Sequence, residues 1–187
     1  MNDSVSFSLL TESESFQKSK LLHIRRMIVR SNIKPGDIGY LVYLHGILYA
    51  QEYDLDFTFE GYVAAGLGEF AKSYDEGKDR LWIAEADGRV VGSIAIAGLP
   101  DQTAQLRWFL VHPEVRGKGL GRKLLSEALA FCRERGFRSV FLWTISELKE
   151  AAHLYRQAGF QRTEQKTHII WGGTRTEERY DLSLQGE

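Results

Sequence analysis

The stretch VRGKGLGRKLL, Val115 to Leu125, sets Gly117, Gly119 and Gly121 at every second position among Arg116, Lys118, Arg122 and Lys123. Glycine leaves the main chain bare, so neighbouring N–H groups can converge on a ligand with no Cβ in the way. Leu120, Leu124, Leu125, Ala128, Leu129 and Cys132 then recur at helical spacing, which places the glycines at a helix N-terminus. Bare amides, the positive end of a helix dipole and the clustered cations together suit a phosphate or pyrophosphate. A flexible basic loop would have the same composition, but not this placement between a strand end and a strong helix.

Two common phosphate motifs do not fit. The P-loop pattern fails because no Ser or Thr follows the lysine at the required spacing. A dinucleotide fingerprint needs an early βαβ unit and a ribose-binding acid about twenty residues on. Here the glycines follow an antiparallel hairpin, about two thirds of the way along the chain.

The elements that must hold this loop are legible from periodicity and punctuation. RRMIVR, Arg25 to Arg30, reads as a short strand. Pro35-Gly36 breaks the chain before Asp37, which is placed to cap a helix carrying Ile38, Leu41, Val42 and His45. Phe59, Tyr62, Val63, Leu67 and Phe70 keep a helical period through Phe57 to Tyr74. Two strands flank Asp87-Gly88, a dipeptide that supplies the positive φ of a two-residue hairpin turn. Ala104 to Pro113 alternates as a third antiparallel strand and stops at the proline. The helix after the glycines ends at Gly136. Ser139 to Thr144 is apolar on both faces, as in a strand covered on both sides. Glu147 to Ala158 forms the next helix, and strands are expected around HIIW and RYDLSL. The resulting order is strand, two helices, three strands, helix, strand, helix, two strands: an α/β chain built on one mixed sheet.

Composition narrows the function. With 187 residues, 43% hydrophobic and 26% charged, the chain has the make-up of a soluble single domain. Residues 25–187 are assigned to that domain and residues 1–24 to a frayed N-terminal extension. A net charge of −1 argues against nucleic-acid or membrane partners, so the cations around Arg116 mark a site, not bulk charge. Cys132 is the only cysteine, so neither a disulfide nor a cysteine-based metal cluster is expected, and its helix face makes it a small core residue. The N-terminal residues lack the pattern of a secretory signal, and no apolar run reaches the roughly 18 residues of a membrane span. A cytoplasmic location follows as the expectation.

Three motifs in order then point to one family. Arg116-Gly117-Lys118-Gly119-Leu120-Gly121 resembles the pyrophosphate loop of the GNAT superfamily of N-acetyltransferases. LRWFLVHPEV resembles the family's fourth strand, and AAHLYRQAGF its last-helix motif. The segment Gly36 to Ala64 looks like the acetyltransferase half of proteins that fuse a MarR-type winged-helix regulator to a GNAT domain, although too few residues precede Ile28 for a winged helix. The resemblance implies a mostly antiparallel sheet of six or seven strands with helices on both faces, and acetyl-CoA as cosubstrate with no metal.

Carried over residue by residue, it implies that the main chain of Leu110 and Val111 pairs with the pantetheine arm. Arg116, Gly117, Lys118, Gly119, Leu120, Gly121 and Arg122 would hold the pyrophosphate, with Ala152 and Tyr155 also against the cofactor. An N–H near Val111 would stabilise the oxyanion, and Tyr155 would protonate the departing thiolate. Helical spacing puts Leu148, Ala151, Ala152 and Tyr155 on one face, which a purely structural tyrosine would also satisfy.

Two departures stand out. Glu147-Leu148 occupies the place of a frequent cofactor-contacting Asn, and the fourth strand offers Gln105, Arg107 and Phe109 with no carboxylate base. Glu52 is taken as the base from a group that includes His45 and Asp54. The loop joining Tyr49, Tyr53, Phe57 and Phe59 with Glu52, Asp54, Asp56 and Glu60 suggests a small cationic amine as acceptor, unless its aromatics simply pack two helices. The expected activity is direct acetyl transfer to a primary amine. An acetyl-CoA-binding sensor or regulatory partner module is the alternative, and exposed edge strands near the C-terminus favour a homodimer.

Overall fold

The computed structural model describes residues 26–185; the extension assigned to residues 1–24 lies outside them. The elements are β1 (Met27–Arg30), α1 (Asp37–Tyr53), α2 (Phe57–Lys72), β2 (Arg80–Ala86), β3 (Arg89–Leu99) and β4 (Thr103–Val111). After a 3-10 turn (Pro113–Val115) come α3 (Leu120–Glu134), β5 (Ser139–Ile145), α4 (Lys149–Gln157), β6 (Gln161–Ile170) and β7 (Gly173–Ser183). This is the expected order. The strands form one seven-stranded sheet in the order β1-β2-β3-β4-β5-β7-β6. All neighbours are antiparallel except β4 and β5, whose parallel pairing is made possible by the crossover through α3.

Strand alternation divides the core. Trp82, Ala84 and Ala86 of β2 face α3 and α4 with Leu124, Leu125, Ala128, Cys132 and Tyr155. Leu81 and Ile83 face the opposite layer, where Leu41, Phe59, Val63, Leu67 and Phe70 of α1 and α2 are buried. Each fully buried Leu or Phe contributes about 2 kcal/mol from loss of apolar surface to water. The β2–β3 turn is the expected one, with φ of 48° at Asp87 and 80° at Gly88. Trp171 and Gly172 repeat that geometry between β6 and β7, at φ of 50° and 85°.

Two local expectations are corrected. Asp37 does not cap α1: Gly36, at φ 96°, is the cap residue and Asp37 is the first residue inside the helix. Its buried carboxylate instead accepts both Arg30 Nη groups, at 2.8 and 2.7 Å, and the Lys34 N–H at 2.6 Å. Burial works to raise the Asp37 carboxyl, but Arg30 and the amide outweigh it and hold the group below its ordinary range. The pair ties α1 to β1, and Arg30 Nε continues the link to Glu85 of β2 at 2.6 Å. The second correction is β5: Val140 and Leu142 are buried on one face, but on the other only Ile145, at the end of the strand, is buried. Phe141 and Trp143 are half-buried because α1 and α2 pack on this face of β5 only at its Ile145 end. Arg179 lies over Phe141 at 4.2 Å and Lys166 over Trp143 at 4.7 Å in their stead.

The feature that makes a site is the parting of β4 from β5. Their pairing ends after Thr103↔Ser139, Ala104↔Val140 and Gln105↔Phe141, although both strands continue. On its other edge β4 bulges: Ser93 opposes Leu110 and Ala95 opposes Arg107, so Trp108 and Phe109 share one partner position. Trp108 takes a φ of 46°, and the Ser93 hydroxyl donates to its carbonyl at 2.7 Å in the core. The bend opens a wedge between the two strands.

Candidate active site

On the α3–α4 side of the wedge lies a cleft of about 620 Å³. Its edge is the outer half of β4. The His112 N–H donates to the Val91 carbonyl at 2.8 Å, so alternation turns the Val111 N–H and C=O away from β3, toward the gap. The glycine loop closes the far end. Gly117 and Gly119 adopt φ of 75° and 81°, a conformation that costs side-chain-bearing residues roughly 1–2 kcal/mol. A Cβ built on either would meet nothing within 4 Å, so the bare main chain faces open space. Gly121 serves a different purpose: its Cβ would lie 3.1 Å from Leu154 Cδ1 and 3.5 Å from Phe109 Cζ, so glycine lets α3 approach α4 closely. The unpaired amides of the first turn of α3 open on this cleft with Arg122, which is the chemistry an anion requires.

Arg116 does not point freely into that cleft. Its Nε donates to the Val111 carbonyl at 2.9 Å, and its two Nη groups fork onto Glu52 of α1 at 2.6 and 2.8 Å. The hydrogen bonds to Glu52 push the guanidinium above its usual range. The loop is thereby tied both to β4 and to α1.

On the α1–α2 side of the wedge is a smaller cavity, about 110 Å³. His45 and Tyr49 come from α1, Phe59, Tyr62 and Val63 from α2, Gln105 to Phe109 from β4, and Trp143 to Ile145 from β5. The β6–β7 tip folds over it: Trp171 stands edge-on to Phe59 at 5.0 Å, and its carbonyl accepts the Asp56 N–H at 3.2 Å. Tyr49, Phe109 and Leu148 border both spaces, so the cleft and the cavity meet between them.

Titratable groups near that junction are strongly conditioned by burial. Tyr155 is 4% exposed and packs on Phe109, Phe160 and Tyr180 with ring centroids about 6 Å apart. Burial raises its phenol well above the ordinary range, and does the same to Tyr49, so both stay protonated at neutral pH. His45 Nδ1 lies 2.8 Å from the Leu41 carbonyl, an acceptor only, so Nδ1 holds the ring proton. Nε2 is left as a bare lone pair, buried and without a partner among the described residues. Burial pushes the imidazole down to about 4, which keeps it neutral at pH 7. The Cys132 thiol is pushed up to about 12 by burial and is not a thiolate nucleophile.

Leu110, Val111, Arg116, Gly117, Gly119, Leu120, Gly121 and Arg122 all line the larger cleft. Lys118 does not: its Nζ turns back to the Glu114 carbonyl at 3.4 Å. Ala152 is buried in the α3–α4 core, and Tyr155 borders the smaller cavity instead of the cleft. Glu52 sits on the cleft, engaged with Arg116, and not on the smaller cavity. The neighbouring acids are also elsewhere. Asp56 caps α2 through the Thr58 N–H at 3.0 Å, Asp54 ends α1 at φ 55°, and Glu60 lies over Gly46. None of them lines the smaller cavity. Glu147, at the place of the frequent Asn, pairs with Arg175 at 3.1 Å, while Leu148 gives both spaces an apolar wall. Reading β4 as a regular strand hides one pair: the bulge puts Arg107 beside Trp108 on the α2 face, with the guanidinium 4.3 Å over the indole.

Comparisons with known proteins agree with this geometry. The 36%-identical N-acetyltransferase YjgM of Escherichia coli (strain K12), itself uncharacterized, aligns over 110 residues, 56% of this chain and 66% of that protein. N-acetyltransferase 8B of Homo sapiens is 32% identical over 111 residues, 56% of this chain and 49% of that protein. Mycothiol acetyltransferase of Cellulomonas flavigena is 38% identical over 91 residues, 43% of this chain and 26% of that protein. The chain thus spans between about a quarter and two thirds of the length of these relatives. Among solved structures, the yncA acetyltransferase of Salmonella typhimurium with its cofactor acetyl-CoA superposes with a TM-score of 0.66 at 22% identity, covering 86% of this chain and 95% of that one, and so shares the fold. The profile described as Acetyltransferase (GNAT) family matches residues 47–160. That match runs from the end of α1 through β4, the glycine loop and α4, taking in most of what walls the wedge, and this chain belongs to the GNAT acetyltransferase family.

Proposed function

We propose that this chain transfers the acetyl group of acetyl-CoA to the primary amine of a small molecule, by direct attack while both are bound. The observation that carries the reading is the meeting of the two spaces at Tyr49, Phe109 and Leu148, in the gap between β4 and β5. The cleft fits the cosubstrate: amides from Gly117 to Arg122 for the pyrophosphate, and the gap-facing main chain of Val111, beside the Leu110 side of the cleft, for the pantetheine amides, as an added strand would pair. The smaller cavity fits an acceptor entering from the opposite side.

Each residue then has a task. The Val111 N–H, turned to the gap, stabilises negative charge developing on the thioester oxygen. The amine lone pair forms the C–N bond as the C–S bond breaks. Tyr155, kept protonated by burial, donates its hydroxyl hydrogen bond to the leaving sulfur. The surplus amine proton returns to solvent. Glu52 is assigned to positioning and not to base catalysis, because its carboxylate is already forked onto Arg116. The buried, protonated Cys132 leaves no thiolate for an acyl-enzyme, so transfer is direct.

A screen of small amines with mass-spectrometric detection of acetylated product and parallel thiol release tests the proposal. N-acetylated product with stoichiometric thiol is expected, without an acetylated protein species on the path. Tight acetyl-CoA binding with no product from any amine would favour a sensor instead.

A further inference from the structure

We infer that the acceptor carries a carboxylate as well as its amine, and that Arg107 holds that carboxylate: the acceptor is a small amino acid. The inference rests on the acetyl-transfer reading for the role of the amine, but the binding site itself is argued from the smaller cavity alone.

Arg107 is half-buried on the cavity wall, and its guanidinium lies flat on the Trp108 indole at 4.3 Å. Among the described residues no carboxylate lies within ion-pair distance of it. Glu177, the carboxylate that borders the cavity, is engaged by His168 Nε2 at 2.7 Å. A guanidinium drawn from water with no counter-ion is costly, and the cation–π contact offsets this only in part. The planar fork of donors matches a carboxylate that would complete the pairing.

The surrounding structure is shaped around this cation. Gly66 lies inside α2, where glycine weakens a helix. A Cβ there would come within 2.7 Å of Arg107 Nη2 and 3.2 Å of Trp108 Cζ2, whereas Cβ atoms at Gly61 and Gly68 of the same helix would meet nothing within 4 Å. The helix therefore gives up a side chain at the one position that lies against the guanidinium. The β4 bulge supplies the other half, since an unbroken strand would send Arg107 and Trp108 to opposite faces.

The same cavity presents a complementary group for the amine. His45 Nε2 is a buried lone pair with no partner among the described residues, and its tautomer is fixed by the Leu41 carbonyl. It can accept from an amine N–H and cannot donate. A cationic fork and a lone-pair acceptor, set among Tyr62, Trp143 and Trp171, describe a carboxylate, an amine and an apolar side chain. The acids of the α1–α2 loop, which would favour a dicationic acceptor, lie outside the cavity.

The test compares L-leucine, L-methionine and L-phenylalanine with their primary amides on the full chain. Trp108, Trp143 and Trp171 border the cavity, so intrinsic fluorescence reads binding without cofactor. Thiol release with acetyl-CoA then gives kcat/KM. The acids should bind about 10- to 100-fold more tightly than the amides, with a matching ratio in kcat/KM. The amide's amine is the weaker base and is more deprotonated at a given pH, so this bias runs against the expected kinetic result. Arg107→Gln should bring the ratio close to unity. Gly66→Ala, which displaces the flexible end of Arg107 and asks Trp108 Cζ2, at 3.2 Å, to give by only a few tenths of an ångström, should lower it several-fold while the protein still melts cooperatively, and serves if Arg107→Gln does not fold. Equal binding of acid and amide, binding of neither, or an Arg107→Gln protein that keeps the preference overturns the inference. Calorimetry with acetyl-CoA is run separately: failure there defeats the transfer reading, while the fluorescence ratio still decides the carboxylate site.

Discussion

Acidification from pH 7 to pH 5 should destabilise the wild-type chain by about 2 kcal/mol more than it destabilises a His45→Leu variant. The magnitude follows from the position of the imidazole. His45 is 3% exposed, and burial lowers its pKa from the ordinary 6.5 to about 4. Above pH 6.5 the ring is neutral in both folded and unfolded chains and contributes no pH dependence. Between 6.5 and about 4 the unfolded chain takes up a proton that the folded chain refuses, so stability falls as the pH falls, by about 1.4 kcal/mol per unit. The loss reaches about 3 kcal/mol near pH 4 and then levels off. Asp37 and Asp181 have carboxyls held below their usual range, so their contributions are lost only at still lower pH, and equally in both proteins. Leucine keeps the site filled, and the residue 45 backbone N–H still serves the Leu41 carbonyl in the helix. Urea titrations at half-unit pH steps measure the difference, which in heat scans amounts to about 4–8 °C at pH 5 for a chain of this length. Parallel stability curves for the two proteins would refute the argument, as would an NMR midpoint for His45 near 6.5.

Tyr155→Phe should lower kcat by about 100-fold with little change in acetyl-CoA affinity, and unchanged turnover across the pH range would make the tyrosine structural. Gly119→Val places a branched side chain at φ 81° and in the open cleft; it should cost roughly 2 kcal/mol of stability and weaken acetyl-CoA binding at least about 30-fold by calorimetry. An unaltered Kd for that variant would contradict the anion cradle. Glu52→Gln releases Arg116 from α1, so acetyl-CoA affinity should drop about 3- to 10-fold while kcat changes little. A loss of about 1000-fold in kcat at unchanged Kd would restore Glu52 as the base.

What was legible in the chain was local. The Asp87-Gly88 turn, the Leu120-to-Cys132 stripe and the stop at Pro113 each act through neighbours a few residues away, and together they determine the order of elements. The glycine loop was legible for the same reason, since its chemistry needs only bare amides and a following helix. Pairings across the fold were not. Glu52 and Arg116 are 64 residues apart, and nothing near either residue reports the other. The cap expected at Asp37 failed because Arg30, brought alongside by β1, holds the carboxylate better than a helix amide would. Trp171 reads as the end of an apolar strand, yet it is a turn residue at φ 50° that covers the smaller cavity, because packing on Phe59 and Tyr62 outweighs the strain.

The least legible feature is the one on which both spaces depend. Alternation along β4 implies a straight strand, and a straight β4 would carry its pairing with β5 past Gln105 and leave no wedge. Holding Trp108 at φ 46° costs roughly 1–2 kcal/mol, the price of a left-handed residue with a bulky side chain. The Ser93 hydrogen bond at 2.7 Å returns about 1 kcal/mol, and packing on Phe70 at 5.2 Å and under Arg107 at 4.3 Å supplies the remainder. The same distortion that leaves the Val111 edge free therefore also brings the Trp108 ring under Arg107 at the smaller cavity. The shapes of the cleft and of the smaller cavity both depend on a single residue's backbone, so substitutions at Ser93 or Phe70, neither of which lines either space, should alter both acetyl-CoA affinity by calorimetry and the acid-to-amide ratio proposed for Arg107.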